Sequence, residues 1–213
     1  MRCFCILIPL LMFVAFPVVS IAGSPYISLQ SMKKLSMKGI EKQTLDYSCG
    51  AASLALLLQN YFSDVIDEKT ILADITHRLS LDELKVRIEE GFSMLDLKEA
   101  AQRLGYMADG VMLKPEHVKL LKGPIIILLH REKTNHFVVL KGSEQGRAFI
   151  ADPVRGHVRV PLRSLWAEWK GETLVVGRAG FGLPTKHGLT CPKGGRVAPE
   201  METARFMQSL RVY

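Results

Sequence analysis

The sequence predicts an α+β domain, with helices in the N-terminal half and an antiparallel sheet after them. Two observations carry this. Between residues 49 and 104 the apolar residues recur at helical spacing, and from residue 106 onward they gather into short Val, Ile and Leu runs divided by Gly, Pro and Asp. The chain has 213 residues, 48% hydrophobic and 23% charged, which suits one compact domain with a tail and excludes a largely disordered chain. No Gly-X-Y period, heptad array or longer internal repeat is present.

Taken in order, residues 3–19 form one apolar run, with Arg2 before it and Ser20-Ile21-Ala22 after it. A basic start, an apolar stretch and a small-x-small site predict an export signal over residues 1–22, cleaved after Ala22. An uncleaved membrane anchor is the competing reading, and Pro9 and Pro17 weigh against it. Residues 23–42 read as irregular, with a short strand at 26–29. The stretch CGAASLALLLQNY, residues 49–61, reads as a mostly buried helix with Ser48 as its N-cap. Residues 67–76 read as a short helix, and the charged residues 80–91 as a solvated helix or loop. Residues 93–104 form an amphipathic helix capped by Ser93, with Met94, Leu97, Ala101 and Leu104 on one face and Gly105 as its stop.

Strands are expected at 106–113, 125–130, 136–141, 147–151, 157–160 and 173–176, with helical turns at 115–121 and 162–169. The continuous apolar run 125–130 reads as a central strand, and residues 142–146 as the turn of a hairpin. The domain is therefore placed at 23–179. Residues 180–213 read as a basic, loosely ordered tail with a terminal helix at 199–210.

Four residues form a candidate catalytic constellation. Cys49 begins a helix, where the partial positive charge of the N-terminus favours the nucleophilic thiolate. Gln43, six positions earlier, could donate its side-chain amide to an oxyanion, with the backbone N–H at the helix start as second donor. His136 opens a strand, a rigid mount for a general base, with His130 and His157 as rivals; His77, His117 and His187 fall in segments read as exposed. Asp152 ends the next strand and could orient the imidazole. Singly each has a plainer role: a packed thiol, a surface amide, an ordinary strand histidine, and an Asx-turn before Pro153. As an ordered set they match a papain-like thiol hydrolase.

The segment QTLDYSCGAA from Gln43 to Ala52, with HFVVL from His136 and ADP from Ala151, resembles the C39 peptidases, papain-like cysteine peptidases known as N-terminal domains of bacteriocin exporters. The resemblance covers residues 43–176. It implies a papain-like fold with the helical half packed on the antiparallel sheet. It also implies Cys49 as nucleophile, His136 as base, Asp152 as orienter and Gln43 in the oxyanion hole, acting on a peptide bond, typically after a Gly-Gly pair in a leader. The export signal and the lack of a GxxxxGK[ST] loop make the chain similar to stand-alone exported members that accompany functional-amyloid fibre systems of pseudomonads. A periplasmic location follows, with a fibre subunit or secretion component as substrate and membrane contact only through the signal segment.

Three alternatives stand beside this reading. One is a catalytically silent C39-like chaperone that binds its substrate. Another is a structural disulfide between Cys49 and Cys191. The third is self-processing after Gly194-Gly195 in the tail, which is otherwise an ordinary loop. The net charge of +7 suits an acidic partner, anionic lipid or a cell-wall polymer. No nucleic-acid partner, metal or cofactor is expected, since no nucleic-acid motif, CxxC or HExxH occurs.

Overall fold

The computed structural model describes residues 32–131 and 134–191. The signal segment, the strand at 26–29, Gly194-Gly195 and the helix at 199–210 lie outside the described residues. Six helices and six strands follow in the order α1 (Met32–Ser36), α2 (Cys49–Tyr61), α3 (Glu68–Thr76), α4 (Leu81–Glu90), α5 (Met94–Arg103), β1 (Met107–Met112), β2 (Ile125–His130), β3 (Asn135–Glu144), β4 (Arg147–Asp152), β5 (Gly156–Pro161), α6 (Leu162–Glu168) and β6 (Glu172–Gly177). A 3-10 turn, Pro115–Leu120, stands between β1 and β2. The strands form one antiparallel sheet in the order β1-β6-β2-β3-β4-β5. This is the α+β, papain-like arrangement expected, with the helical half on one face of the sheet.

The sheet is covered on both faces, which is why β2 and β3 are apolar without alternation. Ile126, Phe137 and Val139 pack with α2, α3 and α5. Ile125, Ile127, Val138 and Leu140 turn the other way, onto Leu162, Leu165 and Trp169 around α6. Helix α2 is apolar all round and lies between the sheet and helices α3 and α5. A helix without a polar face needs apolar neighbours on every side.

Capping sets the helix starts. Asp67 accepts from the Thr70 N–H, and Ser80 and Ser93 each form a reciprocal capping box. Ser48 departs from expectation: it occupies the N-cap position of α2 without a capping bond. Its hydroxyl instead closes a turn, donating to the Leu45 carbonyl at 2.8 Å and accepting from the Leu45 N–H at 3.1 Å. The hairpin between β3 and β4 is also longer than expected. β3 runs on through a bulge at Leu140/Gly142 to Glu144, and the turn is Gln145-Gly146, both at positive φ. Near the N-terminal end of the described chain, residues 32–36 form helix α1 where irregular chain was expected.

Residues 180–191 are not loose. Phe181 packs edge-on to Tyr61 and tilted on Phe62, with centroid distances of 5.7 and 4.7 Å, His187 stands edge-on to Tyr61 at 4.7 Å, and Leu189 is buried. Their apolar anchors are too widely spaced among glycines and prolines to show a period. Leu189→Ala is therefore expected to lower the unfolding free energy by about 2–5 kcal/mol in urea titration, as for a core leucine. A change within ~0.5 kcal/mol would mean that this segment does not belong to the core.

Candidate active site

Cys49 is the first residue of α2, and two contacts fix where that end lies. Gly50 faces Leu97 and Phe137 so closely that an added Cβ would stand 3.0–3.2 Å from their side-chain carbons. One turn on, the buried Ser53 hydroxyl donates to the Phe137 carbonyl at 3.0 Å. That carbonyl belongs to the residue after His136, so one bond ties the helix carrying the thiol to the strand carrying the imidazole.

His136 is 7% exposed and Asp152 fully buried. The antiparallel pairing of β3 with β4 brings them together, and His136 Nε2 lies 3.1 Å from Asp152 Oδ1. Asp152 Oδ1 also accepts from the backbone N–H groups of Val154 at 2.8 Å and Arg155 at 3.1 Å, while Oδ2 accepts from Arg155 Nε at 2.7 Å. The turn-closing bonds and the contact with the imidazole thus coexist on one carboxylate. Burial alone would push the Asp152 carboxyl up, but the hydrogen bonds from His136, Arg155 and Val154 hold it well below the usual carboxylate range. Burial pulls His136 down, yet hydrogen bonds to Asp152 and Cys49 outweigh it, and the net displacement is upward. With Nε2 turned to Asp152, Nδ1 is the ring nitrogen left to exchange a proton with Cys49.

The rival histidines are engaged elsewhere. His130 Nε2 lies 3.0 Å from Glu172 Oε1, and His157 Nε2 is 3.1 Å from the Lys38 carbonyl. Both described cysteines are free. Cys191 is half-buried against Gly142, at the far end of β3 from His136, so the disulfide with Cys49 is not formed.

Gln43 is held beside Asp152 by its backbone, whose N–H donates to the Pro153 carbonyl at 3.1 Å. Its side-chain Nε2 donates to the Leu45 carbonyl at 2.9 Å, and its buried Oε1 has no partner. One N–H of the amide remains for another acceptor.

A groove of about 260 Å³ opens at Cys49, walled by Phe92, Met94, Leu128, Asn135 and Phe137, with Arg87 and Glu90 at its rim. Apart from Met94, read from sequence as part of an amphipathic helix face, these lining residues were not singled out from sequence. They come from four separate elements, and no local pattern marks them. The C-terminal end of α4, expected to face solvent, is drawn to the rim by Arg87, whose Nε lies 2.6 Å from Asp96 Oδ2 at the start of α5.

The two displaced groups set a pH window. His136 is raised from its ordinary 6.5, so its contribution is complete below that pH and is lost as pH rises through its folded value. Asp152 is lowered from 3.8, so its contribution is complete above that pH and is lost as pH falls through its folded value. The pair stabilises most between about 3.8 and 6.5. The stability gap between wild type and His136→Gln, from urea unfolding, is expected to be wider at pH 5 than at pH 9; an equal gap would deny the charged pair.

Comparison with known proteins identifies the family and the fold. The family model described as the Peptidase C39 family matches residues 37–179. A relative from Pseudomonas aeruginosa, a probable functional amyloid protease FapD, is 30% identical over 190 residues, 89% of this chain and 79% of its own length. A protein of the same description from Pseudomonas fluorescens is 32% identical over 154 residues, 72% of this chain and 66% of its own. Among solved structures, a double glycine motif protease from an AMS/PCAT transporter, in complex with a leader peptide, has a TM-score of 0.54 at 31% identity, over 66% of this chain and 91% of that one. The peptidase domain of Streptococcus ComA shares the fold, with a TM-score of 0.55 at 19% identity, over 65% of this chain and 96% of that one. With its thiol, imidazole and carboxylate meeting between α2, β3 and β4, the chain belongs to the Peptidase C39 family and is a cysteine peptidase.

Proposed function

We propose that the protein is an exported, periplasmic peptidase that cuts a peptide bond in another exported protein through a Cys49–His136–Asp152 triad. The observation that carries this reading is the His136 ring held 3.1 Å from the buried Asp152 carboxylate, with Cys49 near enough to help raise the imidazole's pKa. His136 Nδ1 takes the thiol proton, and the Cys49 sulfur attacks the scissile carbonyl carbon. The oxyanion formed is received by the Cys49 backbone N–H and the Gln43 amide. His136 then protonates the leaving amine as the C–N bond breaks, leaving an acyl group on Cys49. Water, deprotonated by the same ring, releases the acid. Asp152 keeps Nε2 protonated and the ring in place throughout.

The relatives' description as functional amyloid proteases supports a fibre subunit or secretion component as substrate. The apolar run at residues 3–19 supports export. The groove is apolar along Phe92, Met94 and Leu128, which suits an extended chain with an apolar side chain near the cut.

The test is alkylation of the purified protein by iodoacetamide between pH 5 and 9, with mass mapping. Cys49 is expected to react faster than Cys191, and His136→Ala to slow it at pH 6 by more than ~10-fold. Equal reactivity of the two thiols would deny a Cys–His pair and favour the binding-chaperone reading. Gln43→Ala is expected to slow acyl transfer to Cys49 from p-nitrophenyl acetate by about 10²-fold, read from the nitrophenolate burst, with little effect on melting temperature. An unchanged burst would remove Gln43 from the site.

A further inference from the structure

Glu68, the first residue of α3, is 2% exposed, and no step described above uses it. Both carboxylate oxygens lie on one donor, the Thr44 backbone N–H, at 3.1 and 3.0 Å. Among the described residues no cation stands in ion-pair range of it. Helix α3 does not need this side chain as a cap, because Asp67 already accepts from the Thr70 N–H at 2.9 Å and the Thr70 hydroxyl at 2.6 Å. Burying a carboxylate against a single N–H is costly, so its effect on Thr44 is the feature to explain.

Thr44 follows Gln43, in a segment of seven residues that ends at Cys49. Gln43 is fastened to Pro153 at the end of the sheet, and Leu45 to Ser48 immediately before the helix. Glu68 adds an anchor from the helical layer. Without it, residues 43–48 keep their ties to the sheet, to α2 and, through Tyr47, to Phe92, but lose the tie of Thr44 to α3. An oxyanion donor displaced by about 1 Å loses most of its effect.

We propose that Glu68 is a positioning residue for acyl transfer: by holding the Thr44 N–H it sets where the Gln43 amide stands relative to Cys49. This rests on the peptidase reading above, and two probes of the same thiol separate the two. Acylation by p-nitrophenyl acetate forms an S–C bond at a carbonyl, raises an oxyanion and expels nitrophenolate. Alkylation by iodoacetamide forms an S–C bond at a methylene and expels iodide, with no new oxyanion at the carbon attacked. The oxyanion donors matter to the first reaction only, while His136 matters to both.

Glu68→Ala is expected to slow acylation of Cys49 by about 10- to 100-fold while alkylation stays within about 2-fold of wild type. Glu68→Gln, which can still accept from the Thr44 N–H, is expected to restore acylation to within about 3-fold. Glu68→Asp keeps the charge but withdraws it by one methylene, and falls between the two; it carries the comparison if the alanine variant does not fold. Acylation at the wild-type rate in the alanine or aspartate variant overturns the assignment. So does an equal slowing of both reactions, which would mark a general loss of structure. If wild-type Cys49 reacts with neither probe, or reacts independently of His136, the catalytic reading itself has failed and the role of Glu68 goes with it.

Discussion

Helix α2 is apolar on every side, and its burial dictates where its first residue lies. The sheet presses on it through Phe137 and Val139, helix α5 through Leu97, and α3 through Ile71 and Ile75. Such a helix cannot rotate or slide without opening cavities on several sides at once. Gly50 permits the close approach at its N-terminal end, and the Ser53 hydroxyl fixes the register against β3. The thiol of Cys49 is thereby delivered to the start of β3, where His136 waits. The precision of the site is borrowed from the packing of the core.

Asp152 binds the site to the fold in a second way. Its carboxylate closes the turn into β5 through two backbone N–H groups, pairs with Arg155 and receives the His136 ring. A buried carboxylate with four donors is pre-oriented, so the ring has one favoured setting. The same electrostatics hold the carboxylate ionised and favour a charged imidazole beside it. An imidazole that readily carries a proton next to a thiol is the condition a thiol nucleophile needs.

Around this centre the structure enlists parts of the chain that look peripheral along the sequence. Helix α4 exposes most of its surface, yet Arg87 anchors its last turn to Asp96 and so builds one rim of the groove. The segment after β6 crosses the far end of α2 and packs Phe181, His187 and Leu189 around Tyr61 and Phe62. Both ends of the helix that carries Cys49 are thus enclosed by chain that has little apolar periodicity of its own.

The amino-acid sequence by itself determined the order of elements from α2 onward, because burial on one face or two imposes a period on each segment: the bounds of α2, the two-sided strand β2 and the capped start at Ser93 were all legible, whereas residues 80–91 read equally as helix or loop. It also determined which residue types could form the site, because Cys49, His136 and Asp152 each sit at an element end. Tertiary structure alone decided the rest. His136 was singled out by its motif and by the hairpin turn at 142–146, but its 3.1 Å contact with Asp152, and the engagement of His130 with Glu172 and of His157 with the Lys38 carbonyl, depended on how the strands pair and pack. The same holds for the bulge at Leu140/Gly142, the turn made by Ser48, the rim built by Arg87 and the carboxylate of Glu68 on Thr44. Periodicity reports how much of a segment is buried; which neighbour buries it is settled only when the whole chain packs.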